Sequence, residues 1–296
     1  MKKIFALAFT ALSLTACSAT PSLLPVASGF QPPALRAAAA APRQNLNELL
    51  PLLKQIFKNE LADGLQAGQP SPDINQILEQ KGPEAFKLLA VDASARKALY
   101  PYADQMVINE FNKPSPSDNV PPLSAQELQA LLPRLQSGDV ILCGNDQSFV
   151  HGILYLGRGE IVHSLATQPD MHDRFRGVVK ESLATYIARS PRDTFVILRA
   201  KGQSAANFTP ALNFAIKQVG KQYDSLFLYQ TDERFYCTEL VWSALRQIAR
   251  PPRVMPHLVK YGWEMVTVED FMDSPDLETV WTRNYTRPPV GRMHRY

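Results

Sequence analysis

Cys237, His151 and His163 are the residues whose types and surroundings fit nucleophilic chemistry. Cys237 opens a run in which Leu240, Val241, Ala244, Leu245 and Ile248 fall on one helical face, so the thiol belongs at or before a first helical turn. A helix N-terminus favours negative charge and therefore thiolate, the nucleophilic form of cysteine. A histidine can take the thiol proton, and a second polar group can orient that histidine. Such a set attacks a carbonyl carbon and passes through an acyl-enzyme.

The elements that must position these groups follow from periodicity. Residues Phe149 to His163 read as a β-hairpin around Gly157, Arg158 and Gly159. A two-residue loop would set the histidines on opposite faces, because side chains alternate. A three-residue loop pairs Leu156 with Glu160 and Ile153 with His163, so both imidazoles share a face, with backbones on the order of 7 Å apart. Val140–Leu142, Val150–Leu156, Ile161–Leu165 and Phe195–Leu198 read as strands, and Pro210–Val219 and Cys237–Ile248 as helices. Strands first and helices after imply an α+β domain with a mainly antiparallel sheet.

Upstream the texture is helical. Ser71 and Pro72 look like a cap and first-turn proline, and Gly82–Pro83 is expected to reset the chain before Phe86, Leu88 and Leu89. Ser124 and Glu127 have the spacing of a capping box, opening a short helix that ends near Gln136. The expected division is a leader over 1–16, a lipidated Cys17 and tether over 17–44, a helical region and linker over 45–122, a catalytic domain over 123–285 and a tail over 286–296. The apolar stripes of the helical region read as core, and no chemistry is assigned there.

The leader is specific. Lys2 and Lys3 precede an apolar run from Ile4 to Leu14 that is too short to span a bilayer, and Leu14, Thr15, Ala16 and Cys17 follow. This resembles a bacterial lipobox, which implies acylation of Cys17 and a lipid anchor; Ser18 in place of an acidic residue implies the outer membrane, facing the periplasm. The formal net charge is only +3, with no basic block, so nucleic acid is not an expected partner. Cys143 lies in an apolar strand and reads as inert. A Cys143–Cys237 disulfide is the competing expectation, because an exported chain meets an oxidising compartment. His172 and His257 lack metal-ligand spacing, and neither metal nor cofactor is expected.

Gly138, Asp139 and Val140, then His151 and Tyr155, Val162 and His163, Tyr223 and Asp224, and finally Tyr236, Cys237, Thr238 and Glu239 resemble the circularly permuted branch of papain-like NlpC-type hydrolases. That branch includes YiiX-like bacterial proteins and, more distantly, lecithin retinol acyltransferase. The resemblance spans about residues 135 to 285. It implies Cys237 as nucleophile, His151 as base and His163 as the orienting residue. Tyr223 and Tyr155 are the candidate substrate-binding residues. Two departures stand out. Gly152 directly follows His151, where YiiX-like chains often carry glycine two places on, and His163 stands where many of them are acidic and the acyltransferase branch has histidine. The expected activity is cleavage of an amide or peptide bond, with a peptidoglycan peptide or another acyl compound as substrate. The alternatives are a lipid acyltransferase or thioesterase using the same cysteine, and a non-catalytic envelope binding protein.

Overall fold

Alternation of apolar residues from Val140 onward builds one antiparallel sheet. In the structure, a computed structural model, residues 50–51, 53–54, 72–111, 120–166, 177–259 and 262–286 are described. The leader with Cys17, the tether, His172 and residues 287–296 lie outside them. Strands β1 (Val140–Asn145), β2 (Ser148–Gly157), β3 (Glu160–Leu165), β4 (Gly177–Ser182), β5 (Thr194–Ala200) and β8 (Leu277–Arg283) form a six-stranded sheet in the order β4-β3-β2-β1-β5-β8. A second sheet pairs β6 (His257–Leu258) with β7 (Glu264–Met265). The fold is α+β, consistent with a permuted papain-like domain.

The described helices include α1 (Pro72–Val91), α2 (Ala93–Phe111), α3 (Ala125–Leu131), α4 (Leu183–Arg189), α5 (Thr209–Lys217), α6 (Cys237–Leu245) and α7 (Val268–Met272). On one face of the sheet Val140, Leu142, Leu154 and Val162 pack against Ala211 and Ala215 of α5 and Leu240, Val241, Ala244 and Leu245 of α6. On the other, Ile141, Cys143, Ile153, Tyr155 and Ile161 pack against Leu128 and Leu131 of α3 and Leu183, Tyr186 and Ile187 of α4. Burial of an aliphatic side chain contributes about 1.5–3 kcal/mol, so these two layers fix the sheet between helices.

Local chemistry sets several boundaries. The Ser124 hydroxyl accepts from the Glu127 amide at 3.2 Å and the Glu127 carboxylate accepts from the Ser124 amide at 2.8 Å, the expected capping box. The helix it opens stops at Leu131, followed by a 3-10 turn over Leu132–Arg134. The Asp139 carboxylate takes a two-pronged bond from Arg199, each contact 2.8 Å, and so ties β1 to β5.

The hairpin turn differs from expectation in form but not in consequence. Gly157 pairs with Glu160, leaving a two-residue turn at Arg158 and Gly159. Both turn residues have positive φ, 54° and 80°, as a type I′ turn requires. The odd residue needed to keep the register enters instead as a bulge between Tyr155 and Gly157. Leu154 therefore faces Val162, and continuing that register sets Ile153 opposite His163. Gly82–Pro83 does not reset the chain, since α1 runs through Pro83 to Val91. Phe86, Leu88 and Leu89 in its second half pack against Leu99 and Tyr100 of α2, and burial outweighs the lost backbone hydrogen bond. Helix α6 ends at Leu245, earlier than the apolar spacing through Ile248 suggested.

Candidate active site

Cys237 is the first residue of α6, and the start of that helix is pinned from several sides. The Tyr236 hydroxyl accepts from the Val266 amide at 2.8 Å, and the Thr238 hydroxyl donates to the Val266 carbonyl at 2.6 Å. The Glu239 side chain accepts from the Tyr236 amide at 3.1 Å. Glu239 is fully buried, and burial lifts its carboxyl well above the usual carboxylate range. It caps the helix through this hydrogen bond. At Gly152 the sheet comes close to the helix start: a Cβ there would lie 3.1 Å from Thr238 Cγ2.

This close approach brings the Gly152 amide to the Cys237 sulfur, joined by the amide of Thr238. Burial nonetheless raises the thiol pKa above its ordinary value, and those donors only offset part of the effect. The helix start alone does not supply a thiolate. A base is needed. The Tyr223 hydroxyl is hydrogen-bonded to Cys237, and burial raises its own pKa, so the phenol stays protonated.

The two histidines meet as the register requires. His151 Nε2 lies 2.8 Å from His163 Nδ1, and His163 Nε2 lies 2.8 Å from Glu181 Oε1. Arg189 closes the chain with a fork onto Glu181, Nη1 to Oε2 at 2.7 Å and Nη2 to Oε1 at 2.5 Å. Burial alone would raise the Glu181 pKa, but the bonds from Arg189 and His163 outweigh it and hold the carboxyl down to about 2. The protons can then be assigned by elimination. An ionised Glu181 only accepts, so His163 Nε2 donates. Neutral His163 accepts at Nδ1, so His151 Nε2 donates, and His151 Nδ1 keeps a free lone pair. Burial lowers the pKa of both histidines, and at His151 the neighbouring His163, Arg192 and Arg189 lower it further, so both rings are neutral at neutral pH.

His151 Nδ1 is at the main-chain end of its ring, and the next amide along that chain, Gly152, reaches the Cys237 sulfur. By alternation, however, His151 and His163 project into the layer of Tyr186, whose ring centroid is 5.5 Å from His151 and 4.9 Å from His163. Among the described residues no hydrogen bond joins the His151 ring to the Cys237 sulfur. Catalytic contacts of this kind are often long without substrate and tighten when it binds.

Of the remaining sequence candidates, Tyr223 is brought to Cys237 and Tyr155 is not. Tyr155 is buried, and its hydroxyl accepts from the Gly159 amide at 2.8 Å, so it holds the hairpin turn. Cys143 sits directly across from His151, fully buried, with its sulfur 3.4 Å from the Tyr186 hydroxyl. Burial pushes its thiol up to about 11. Cys143 and Cys237 are both free thiols, so the competing disulfide is not formed. His257 is exposed and paired with Asp270 at 2.8 Å. Among the described residues no group of three or more His, Cys, Asp or Glu is placed to hold a metal ion.

Glu181 and Arg189 were not singled out from sequence. Their signal was faint: Val178, Val179, Lys180 and Glu181 belong to the strand that pairs with β3, and Arg189 is at the end of the helix that follows it.

A cysteine at a helix start, backed by a sheet whose histidine-bearing strands come earlier in the chain, is consistent with a papain-like fold in permuted order. Residues 135–281 match the model of the permuted papain-like amidase enzymes, the YaeF/YiiX or C92 family, and this segment is similar to that family. That family is described as one of amidases, and the match supports a hydrolase in general class. A solved structure described as metalloprotein yiiX from Escherichia coli O157:H7 (DUF1105) is similar over 51% of this chain and 98% of its own, at 19% identity and a TM-score of 0.40. No curated protein matches the chain.

Proposed function

We propose that the protein is an envelope-anchored cysteine hydrolase that cleaves an amide or peptide bond through an acyl-enzyme on Cys237. The observation that carries this reading is the polar chain Arg189, Glu181, His163, His151, which is buried at its histidines and ends on the residue next to Gly152, whose amide reaches the Cys237 sulfur. Substrate binding brings His151 Nδ1 to the sulfur and the thiol proton passes to it. The sulfur attacks the carbonyl carbon, and the resulting oxyanion is held by amides at the start of α6, where the helix dipole favours negative charge. His151 then protonates the leaving nitrogen as the C–N bond breaks. A water, deprotonated by His151, attacks the thioester, and the acid leaves as the sulfur recovers its proton.

Neutral His151 is the form such a base needs, and burial keeps it so. The lipobox-like leader, with Cys17 as the acylated residue, supports a place at the periplasmic face of the outer membrane, where wall-derived peptides are the abundant amide substrates. Purified protein is to be incubated separately with peptidoglycan fragments and with phospholipids. Release of amine from the fragments, lost in a folded Cys237→Ala variant, is the expected result. Full turnover in that variant overturns the mechanism; acyl transfer from phospholipid alone moves the assignment to a lipid acyltransferase or thioesterase. Acyl chains on the N-terminal peptide at Cys17, read by mass spectrometry, test the anchor.

A further inference from the structure

Helix α2 lies outside the segment that matches the family, yet it is bonded to both ends of the loop that carries Tyr223 toward Cys237. At the near end, the Tyr100 hydroxyl donates to Asp224 Oδ1 at 3.3 Å, and Asp104 accepts from the Ser225 hydroxyl. Asp224 is fully buried, and its carboxylate also accepts from the amides of Leu226 at 2.9 Å and Leu228 at 2.7 Å, which folds the loop back on itself. At the far end, Arg234 Nη1 donates to both oxygens of Asp104 at 3.1 and 3.2 Å, and its guanidinium lies 3.5 Å from the Tyr100 ring centre. The same nitrogen reaches the Tyr223 carbonyl at 3.4 Å. Arg96 forks onto Glu233 at 2.6 and 3.2 Å and bonds the carbonyls of Leu89 and Ala90, so the loop is tied to the helix pair as well.

These contacts are buried or half-buried, and they converge on one consequence. Residues Tyr223 to Arg234 leave the loop at one end as the phenol bonded to Cys237 and at the other as the chain running through Phe235 and Tyr236 into Cys237 itself. We infer that α2 is a positioning element of the cysteine site, with Asp104 and Tyr100 holding the Tyr223 hydroxyl on the sulfur. The proposal rests on Cys237 being the nucleophile, and it gives the N-terminal helices a part in the reaction that core packing alone does not. A hydrogen bond donated to sulfur stabilises the thiolate over the thiol. Release of the loop therefore slows the reaction of the thiol at neutral pH and moves its pH profile to the alkaline side.

The test is peptide-resolved alkylation of Cys237 by iodoacetamide in the full chain, followed from neutral to alkaline pH in Asp104→Asn, Tyr223→Phe and the double variant. Each single variant is expected to react about tenfold more slowly at neutral pH, the effect of losing one hydrogen bond to a charged group. The double variant is expected to be no slower than Tyr223→Phe alone, because Asp104 acts through that hydroxyl. An unchanged profile in Asp104→Asn, or an additive loss in the double variant, overturns the proposal, even where the melting temperature drops. Tyr100→Phe, which removes a single hydroxyl, stands in if Asp104→Asn does not fold. Turnover retained in Cys237→Ala refutes the nucleophile itself, a different result from a reactive Cys237 that is indifferent to Asp104. A Cys237 that does not alkylate in the native chain overturns both.

Discussion

Replacing Glu181 with glutamine keeps the shape of the side chain and removes the charge at the end of the histidine chain. Two hydrogen bonds of 2.8 Å and one imidazole ring separate His151 from Glu181 Oε1, a gap of about 7 Å. When His151 takes the thiol proton, the attraction across that gap at an effective permittivity near 20 is about 2 kcal/mol. Its loss is expected to slow acylation about thirtyfold. Arg189 acts in the same direction, since its guanidinium is no longer neutralised and opposes a cation on His151. The assay is the rate of Cys237 acylation by an activated ester, read as mass increase on the intact chain, with thermal unfolding as the control for folding. A Glu181→Gln variant that folds and acylates within a factor of two of the native rate would show that the carboxylate has no part in the chemistry.

The buried histidines make stability depend on pH. Burial sets the folded pKa of His151 and His163 below the unfolded value of 6.5, so their contribution is complete above that pH and is lost as pH falls below it, by up to about 1.4 kcal/mol per pH unit for each. The melting temperature should fall on acidification below neutrality, and a His151→Gln, His163→Gln double variant should flatten that fall. Tyr155→Phe should cost about 1 kcal/mol in denaturant titration and leave turnover unchanged, because its hydroxyl serves the Gly159 amide. A loss of turnover without a loss of stability would return Tyr155 to the substrate site.

Much of the site was legible because local periodicity carries it. Twelve residues and one turn place His151 against His163, and the turn could be wrong in detail without harm. A three-residue loop and a two-residue loop with a bulge both insert the one odd residue that keeps the imidazoles on the same face. The apolar spacing after Cys237 likewise placed that residue at or before the first helical turn. Proline misled at Pro83, where local propensity argues for a break and packing of Phe86 and Leu89 against α2 overrides it.

The sequence by itself thus determined an antiparallel hairpin bearing two histidines and a helix opened by Cys237. These depend on neighbours a few residues apart, for which side-chain alternation and helical spacing are sufficient. Only the tertiary structure decided that the thiol is buried and that Glu181 and Arg189 stand behind His163. It also decided that Tyr155 serves a turn while Tyr223 meets the sulfur, and that α2 grips the loop leading to Cys237. Burial and long-range ion pairs join residues as far apart as Arg96 and Glu233, and no periodicity links such positions until the chain has folded.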